Sequence, residues 1–284
     1  MVESLTWAFR WLAIWLAFSS FAGAAAGAEA VLRFERDGEL LRELTLEKLR
    51  GTCAESTVEV ARDPYYQRPK RFRALPLPCV LRAGLGGAPA ADANVFLRAR
   101  DGYAKPASGA RLAESGGWLA FADADRSRGE DLAWEPIDRR AVDPAPFYLV
   151  WTGADQSDPH RYPWPYQLAA VDLAPFASRF PLTQPSTAQP GSPAWQGFAV
   201  FRGECIACHA INGQGGRVGP ELNVPRSIVE YRPAAQIKAY IRDPSSFRYT
   251  SMPSHRHLSE AQLDALVAYF EAMKGNKHDP GEAP

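Results

Sequence analysis

The sequence predicts an α+β chain in two parts, a mixed α/β half followed by a small all-α domain. Three observations carry this. The chain has 284 residues, more than one ordinary core needs. Residues 31–180 hold short alternating apolar runs punctuated by Gly, Pro and Asp, the pattern of brief strands. Residues 194–277 carry helical periodicity instead. Between them lies Pro181 to Pro193, with four prolines, one glycine and no apolar period. Such a stretch reads as an extended linker, 181–193, that tethers two domains without fixing their orientation.

Whole-chain properties narrow the function classes. An apolar content of 46% is enough for real cores. Lys and Arg number 32 and so do Asp and Glu, which excludes the basic footprint of a nucleic-acid binder. Residues 1–30 read as an export signal peptide. Arg10 precedes an apolar run, Trp11 to Phe21, and Ala26-x-Ala28 and Ala28-x-Ala30 are both acceptable cleavage signals. The run is short for a membrane-spanning helix, which needs about 20 apolar residues. An uncleaved anchor is the alternative, and both readings place the body of the chain outside the cytoplasm.

In chain order, Val31–Arg36 and Glu39–Leu44 flank Asp37-Gly38, a two-residue hairpin turn that needs positive φ. Thr45 can cap a short helix over 46–50. Thr57–Ala61 alternates and is β-branched, hence a strand, stopped at Asp63-Pro64. Arg68, Lys70, Arg71 and Arg73 form a basic cluster, read as a solvated face. Leu75 to Leu85 holds a short helix ending at Gly84. Val95–Arg98, Trp118–Ala122, Phe147–Trp151 and Gln167–Leu173 are further strands. In the second half, helices are predicted over 194–202, after Ser192-Pro193, and over 233–242, stopped by Asp243-Pro244. The last runs over 260–274, with Ser259 and Gln262 as a capping box and Gly275 as its stop. Its residues Leu263, Leu266, Val267, Phe270 and Met273 make one buried face.

The chemistry concentrates in Cys205-Ile206-Ala207-Cys208-His209. This is C-x-x-C-H, the attachment signal of a c-type heme, in which two thiols bond the porphyrin and the histidine ligates iron. Among zinc, dithiol and heme readings, the adjacent histidine and the lack of a second C-x-x-C select heme. The surrounding motifs are Gly197-x-x-x-Phe201, the C-x-x-C-H, Gly219-Pro220-Glu221-Leu222, Met252-Pro253 and a closing helix. In this order they resemble the class I cytochrome c family over about 191–277. The resemblance implies Gly219 and Pro220 as a heme wall, with the Pro220 carbonyl accepting the His209 Nδ1–H. It also implies His209 as proximal iron ligand and one covalent heme c on Cys205 and Cys208. For the distal ligand Met252 is preferred, since Met1 lies in the signal and Met273 in a core face; His255 and His257, otherwise read as exposed loop residues, and an open site are its rivals. His160 and His278 read as surface.

The first half is similar to the sulfite-oxidase-like (molybdopterin-dependent oxidoreductase) fold over about 31–175. The residues that carry this are Leu97-x-Ala99-x-Asp101-Gly102-Tyr103, Trp118-Leu119-Ala120-Phe121, Pro146-Phe147-Tyr148-Leu149-Val150-Trp151 and the Trp164 segment. The departure is chemical. A molybdenum centre of this kind needs a cysteine thiolate in the loop after the Thr57–Ala61 strand, and that loop, Arg62-Asp63-Pro64-Tyr65-Tyr66, has none. Molybdopterin is therefore not expected. Cys53 and Cys79 have three readings: a structural disulfide, two inert buried thiols, or a metal or redox role.

The expected organisation is thus an export signal (1–30), a sulfite-oxidase-like domain without cofactor (31–180), a linker (181–193), a cytochrome c domain (194–277) and a tail (278–284). The expected function is an exported, periplasmic monoheme cytochrome that carries single electrons between a redox donor and acceptor. A periplasmic or membrane-bound oxidoreductase or oxidase is the class of partner. Residues 191–284 hold ten Lys and Arg against nine Asp and Glu, so strong electrostatic steering is not expected. Two alternatives stay open. One is a self-contained molybdopterin-dependent dehydrogenase that oxidises a small substrate such as sulfite. The other is a heme sensor or ligand-binding module.

Overall fold

The computed structural model describes residues 29–138 and 140–279. The expected export signal falls almost wholly on residues 1–28, outside the described residues, as does most of the tail. Among the described residues, no helix is long and apolar enough to cross a membrane.

The first half opens with the hairpin β1 (Val31–Arg36) and β2 (Glu39–Thr45). Its turn residues Asp37 and Gly38 have φ of 53° and 83°, as such a turn demands. Thr45 then caps α1 (Leu46–Thr52), its hydroxyl accepting from the Lys48 N–H. Next come β3 (Ser56–Val60), β4 (Lys70–Pro76), α2 (Leu77–Leu85), β5 (Asn94–Ala99) and β6 (Ala104–Ser108). They are followed by α3 (Gly109–Ala113), β7 (Gly117–Asp123), β8 (Tyr148–Trp151) and β9 (Leu168–Leu173). One sheet has the order β2-β1-β9-β5-β6 and the other β3-β4-β7-β8. Among the described residues, only β1 and β9 pair in parallel. Their side chains share a core built on Leu32, Phe34, Phe72, Leu97, Tyr148, Trp151 and Trp164. Helix α2 lies close on this core: a Cβ on Gly84 would sit 2.1 Å from the Phe34 ring.

Three of the four residues of the basic cluster lie on β4, and its reading as a solvated face is corrected for buried Lys70 and largely buried Arg73, while Arg68 and Arg71 stay exposed. Strand alternation sends Lys70 inward, to Asp123 and to Glu135 at 3.0 Å. Outward, Arg71 meets Asp125 at 3.0 Å and Arg73 meets Glu55 at 2.6 Å. The α2 helix begins at Leu77 rather than Leu75, because the chain is still in β4 up to Pro76.

The second half comprises α4 (Phe176–Arg179), a 3₁₀ turn at Pro181–Thr183, α5 (Pro193–Val200) and a π-helical turn at Phe201–Cys205. The short strands β10 (Ala210–Ile211) and β11 (Gln214–Gly215), then α6 (Ala234–Arg242) and α7 (Glu260–Lys274), complete it. This domain is therefore not purely helical; the β10–β11 ladder follows directly on the C-x-x-C-H. Helix α7 keeps its capping box, with Ser259 and Gln262 bonded reciprocally. Helices α5 and α7 cross in contact at Gly197, where a Cβ would lie 1.9 Å from the Ala265 carbonyl oxygen.

Residues 181–193 do not float between the halves. Thr183 is fully buried, and its carbonyl accepts the Tyr269 hydroxyl at 2.6 Å. The Leu182 N–H donates to Gln214 at 2.7 Å and the Trp195 indole to the Ala188 carbonyl at 3.2 Å. The expectation of a free tether is overturned because proline composition fixes backbone stiffness, not what the backbone packs against. Phe96, Phe176 and Phe180, which precede this segment, join Phe198, Phe201, Leu266 and Tyr269 in one buried cluster.

Candidate functional site

The site begins where α5 loosens into the π turn. The Ile206 N–H reaches the Phe201 carbonyl at 2.9 Å, an i to i+5 bond that widens the helix just as it delivers Cys205. The Cys208 and His209 N–H groups then both bond the Cys205 carbonyl, at 3.1 and 2.9 Å. Both thiols are thus held on one tight turn, each partly exposed. Burial pushes both thiols up, Cys208 to about 11. A redox-active Cys-x-x-Cys uses the opposite, a depressed thiolate.

His209 leaves this turn and meets the loop 216–223 folding back on it. The Gly216 N–H bonds the Ile206 carbonyl at 2.8 Å and the Gly219 N–H bonds the Cys208 carbonyl at 2.7 Å. Gly219 lies flat on the imidazole: a Cβ there would sit 2.4 Å from His209 Cε1. His209 Nδ1 is 2.8 Å from the Pro220 carbonyl. A carbonyl can only accept, so Nδ1 carries the proton and Nε2 keeps its lone pair. Burial lowers the pKa of this histidine, against the raising effect of Pro220 and Glu221, which keeps the ring neutral. Glu221 braces the loop, its carboxylate accepting from Asn212, Gly213 and Asn223 N–H groups at 2.8 to 3.0 Å. Asn223 in turn donates to the Met273 carbonyl at 2.9 Å, tying the loop to the end of α7.

Met252 lies in the loop between α6 and α7. It is partly buried and packs on the cluster that includes Phe201, Leu266 and Phe270. Its N–H donates to the Thr250 hydroxyl at 3.1 Å. The donor types fit a c-type heme: two thiols on one turn, an imidazole with its second nitrogen already committed, and a thioether in the loop between α6 and α7.

The first half closes on this turn directly. The Ala104 N–H donates to the Ala207 carbonyl, inside the C-x-x-C-H, at 2.9 Å, and the Arg217 N–H to the Gly102 carbonyl at 2.9 Å. Burial raises the phenol pKa of Tyr65, Tyr103 and Tyr166, and Asp101 is among the neighbouring charges that add to it. Asp63, fully buried, accepts from the Tyr65 and Tyr66 N–H groups at 2.9 and 3.0 Å and from the Tyr148 hydroxyl at 3.0 Å. Cys53 and Cys79 are disulfide-bonded, with Cα atoms 5.9 Å apart, so neither sulfur is free to ligate a metal.

Of three histidines read as surface residues, His257 is exposed, His160 is half-buried and His255 is buried. His255 is 4% exposed. His160, from the turn before β9, and His257 flank it, and all three face Glu204 of the π turn. Sequence spacing cannot bring His160 to a residue 44 positions away; the only local signal is the His255-x-His257 pair.

Residues 194–274 match the family model of cytochrome c. The chain is also 36% identical over 87 residues to the cytochrome c oxidase subunit 2 of Alkalihalophilus pseudofirmus, a match covering 28% of this chain and 25% of that protein. The chain thus spans about a quarter of the length of that curated relative. It carries a C-terminal cytochrome c domain, an electron-transfer domain that implies heme c and redox partners.

Proposed function

We propose that this chain is an exported carrier of single electrons, with one heme c in its C-terminal domain and a docking or structural domain in front of it. The observation that carries the reading is the His209 geometry: Nδ1 bonded to the Pro220 carbonyl at 2.8 Å and the ring face covered by Gly219. Cys205 and Cys208 would hold the heme, His209 would be its proximal ligand through Nε2, and Met252 the distal one. Bound there, the heme supplies a one-electron iron couple. The chain's own part is to fix the imidazole's tautomer through Pro220, to keep the ring neutral by burial, and to exclude water with Phe201, Leu266 and Phe270.

The first half, for which we keep the sulfite-oxidase-like scaffold suggested by its residue patterns, bears no cofactor in this reading. Loop 62–66 offers no thiolate, and both cysteines of that half are engaged in the disulfide. The start of its β6, at Ala104, bonds the C-x-x-C-H turn, which suits a module that shapes the surface a partner sees. The partner is a redox protein, and the likeness to an oxidase subunit is compatible with an oxidase. Export is supported by the disulfide, which persists in oxidising compartments.

Metal content and potentiometry test this. Protein matured with its heme should contain one iron and no molybdenum per chain and titrate as a one-electron couple. Met252→Ala should change both the reduced and oxidised spectra and lower the potential. A chain without covalent heme, or with one molybdenum, overturns the reading.

A further inference from the structure

Glu204 sits at the meeting point of three imidazoles. Its Oε2 lies 3.0 Å from His160 Nδ1, 3.8 Å from His255 Nδ1 and 3.3 Å from His257 Nε2. The four ligand atoms all lie within 4.8 Å of one another. A tetrahedral ion with bonds of about 2.0 Å has ligand–ligand edges of about 3.3 Å, so the Glu204 distances lie near that edge and the widest separations would close by about 1.5 Å around an ion. His255 is buried, and its Nδ1 is one of the buried polar atoms with no hydrogen-bond partner. An orphaned buried nitrogen is costly unless something else satisfies it. Lys105, a cation near Glu204, donates through its Nζ to the Pro159 and His160 carbonyls at 2.7 and 3.4 Å.

We propose that His160, Glu204, His255 and His257 bind a divalent late first-row transition ion, zinc or copper(II), between the two halves of the chain. Three imidazoles and one carboxylate are a nitrogen-rich donor set that suits these ions and not calcium or magnesium. The buried His255 nitrogen gains in the ion the partner it lacks. The ion would join the first half, through His160, to the turn before Cys205 and to the loop that carries Met252 three residues ahead of His255. The site uses none of the residues that the proposed function gives to the heme, and it rests on that reading in one respect, that Met252 rather than His255 or His257 is the distal ligand.

The test is metal binding by full-length, heme-loaded protein, with the C-x-x-C-H and His209 already engaged. After incubation with zinc alone and desalting, one zinc per chain should remain, and the melting temperature should rise. His257, with its side chain 42% exposed, can be truncated without opening a core; His257→Ala should weaken zinc at least tenfold. The double variant His160→Ala/His255→Ala should retain no zinc, while His278→Ala should retain it fully. Copper(II) should give an electron paramagnetic resonance signal split by imidazole nitrogens, lost in the double variant. The heme absorption spectrum reports whether each variant is folded. No stoichiometric zinc in the wild-type protein, or zinc undiminished in folded His257→Ala and the double variant, overturns the proposal.

Discussion

Replacing Gly219 by alanine puts a methyl group where the His209 ring already is. The ideal Cβ would lie 2.4, 2.7 and 2.8 Å from Cε1, Nδ1 and Nε2 of that ring. Comfortable contact between such atoms is about 3.5 Å or more, so one partner must move by about 1 Å. The ring cannot simply slide, because Nδ1 is held by the Pro220 carbonyl at 2.8 Å and the backbone of Gly219 is held by the Cys208 carbonyl at 2.7 Å. Overpacking of this kind costs about 1 to 3 kcal/mol. Tilting the imidazole off its carbonyl partner weakens metal ligation about 10- to 100-fold as well. The assay is the visible spectrum and the thermal midpoint of heme-loaded Gly219→Ala. We expect a shifted or partly high-spin spectrum, lower heme retention and a destabilised fold. A native spectrum with stability within about 0.5 kcal/mol of the parent would refute the idea that this glycine seats the proximal ligand.

Gly197→Ala tests the α5–α7 crossing. With its Cβ 1.9 Å from the Ala265 carbonyl, the helices must separate, and chemical denaturation should show a loss of about 2 kcal/mol or more. Cys53→Ser opens a loop closed over a separation of 26 residues, which chain entropy values at about 3.5 kcal/mol; urea melts should show most of it. The Arg68 guanidinium, hydrogen-bonded to Glu135, and then Lys70, outweigh partial burial and hold the Glu135 carboxyl at about 2, against an ordinary 4.5. A carboxyl depressed on folding stabilises the protein above its unfolded value and loses that contribution as pH falls from about 5 towards 2. Arg68 is half exposed, so screening leaves about 1 kcal/mol of the effect. Glu135→Gln should flatten the stability profile in that window, measured by thermal melts.

The second half was legible wherever a local pattern carries its own physics. The capping box at Ser259, the apolar face of α7 and the C-x-x-C-H each sit within a few turns of chain, and α7 spans Glu260–Lys274 as the periodicity requires. The hairpin at Asp37-Gly38 was legible for the same reason, since positive φ at two successive residues selects those types. Strands β4 and β6 were not. Lys70 to Arg73 looks like a charged face because strand alternation with a buried lysine reads, by composition, as surface; only the Asp123 and Glu135 partners from elsewhere in the chain make its burial tolerable. β6 contains Pro106 and lies at the edge of its sheet, where a proline is tolerated but the strand signal is weak.

The histidine cluster and the docked Pro181 to Pro193 segment share one cause of invisibility. Each depends on contacts between halves of the chain that have no sequence proximity. A proline-rich stretch with no apolar period says that the backbone will not form a helix or a central strand. It does not say that the carbonyls of such a backbone stay in water, and here the Thr183 carbonyl is claimed by Tyr269 and the Leu182 carbonyl by Asn212 at 2.9 Å. Once that segment is pinned to the cytochrome domain, the aromatic residues just before it, Phe176 and Phe180, are drawn against Phe198, and Phe96 of β5 follows. That seam sets β5 and β6 beside the C-x-x-C-H turn and leaves His160 beside Glu204. The placement of the histidines is thus a consequence of how the linker packs, and a linker free to swing would have scattered them.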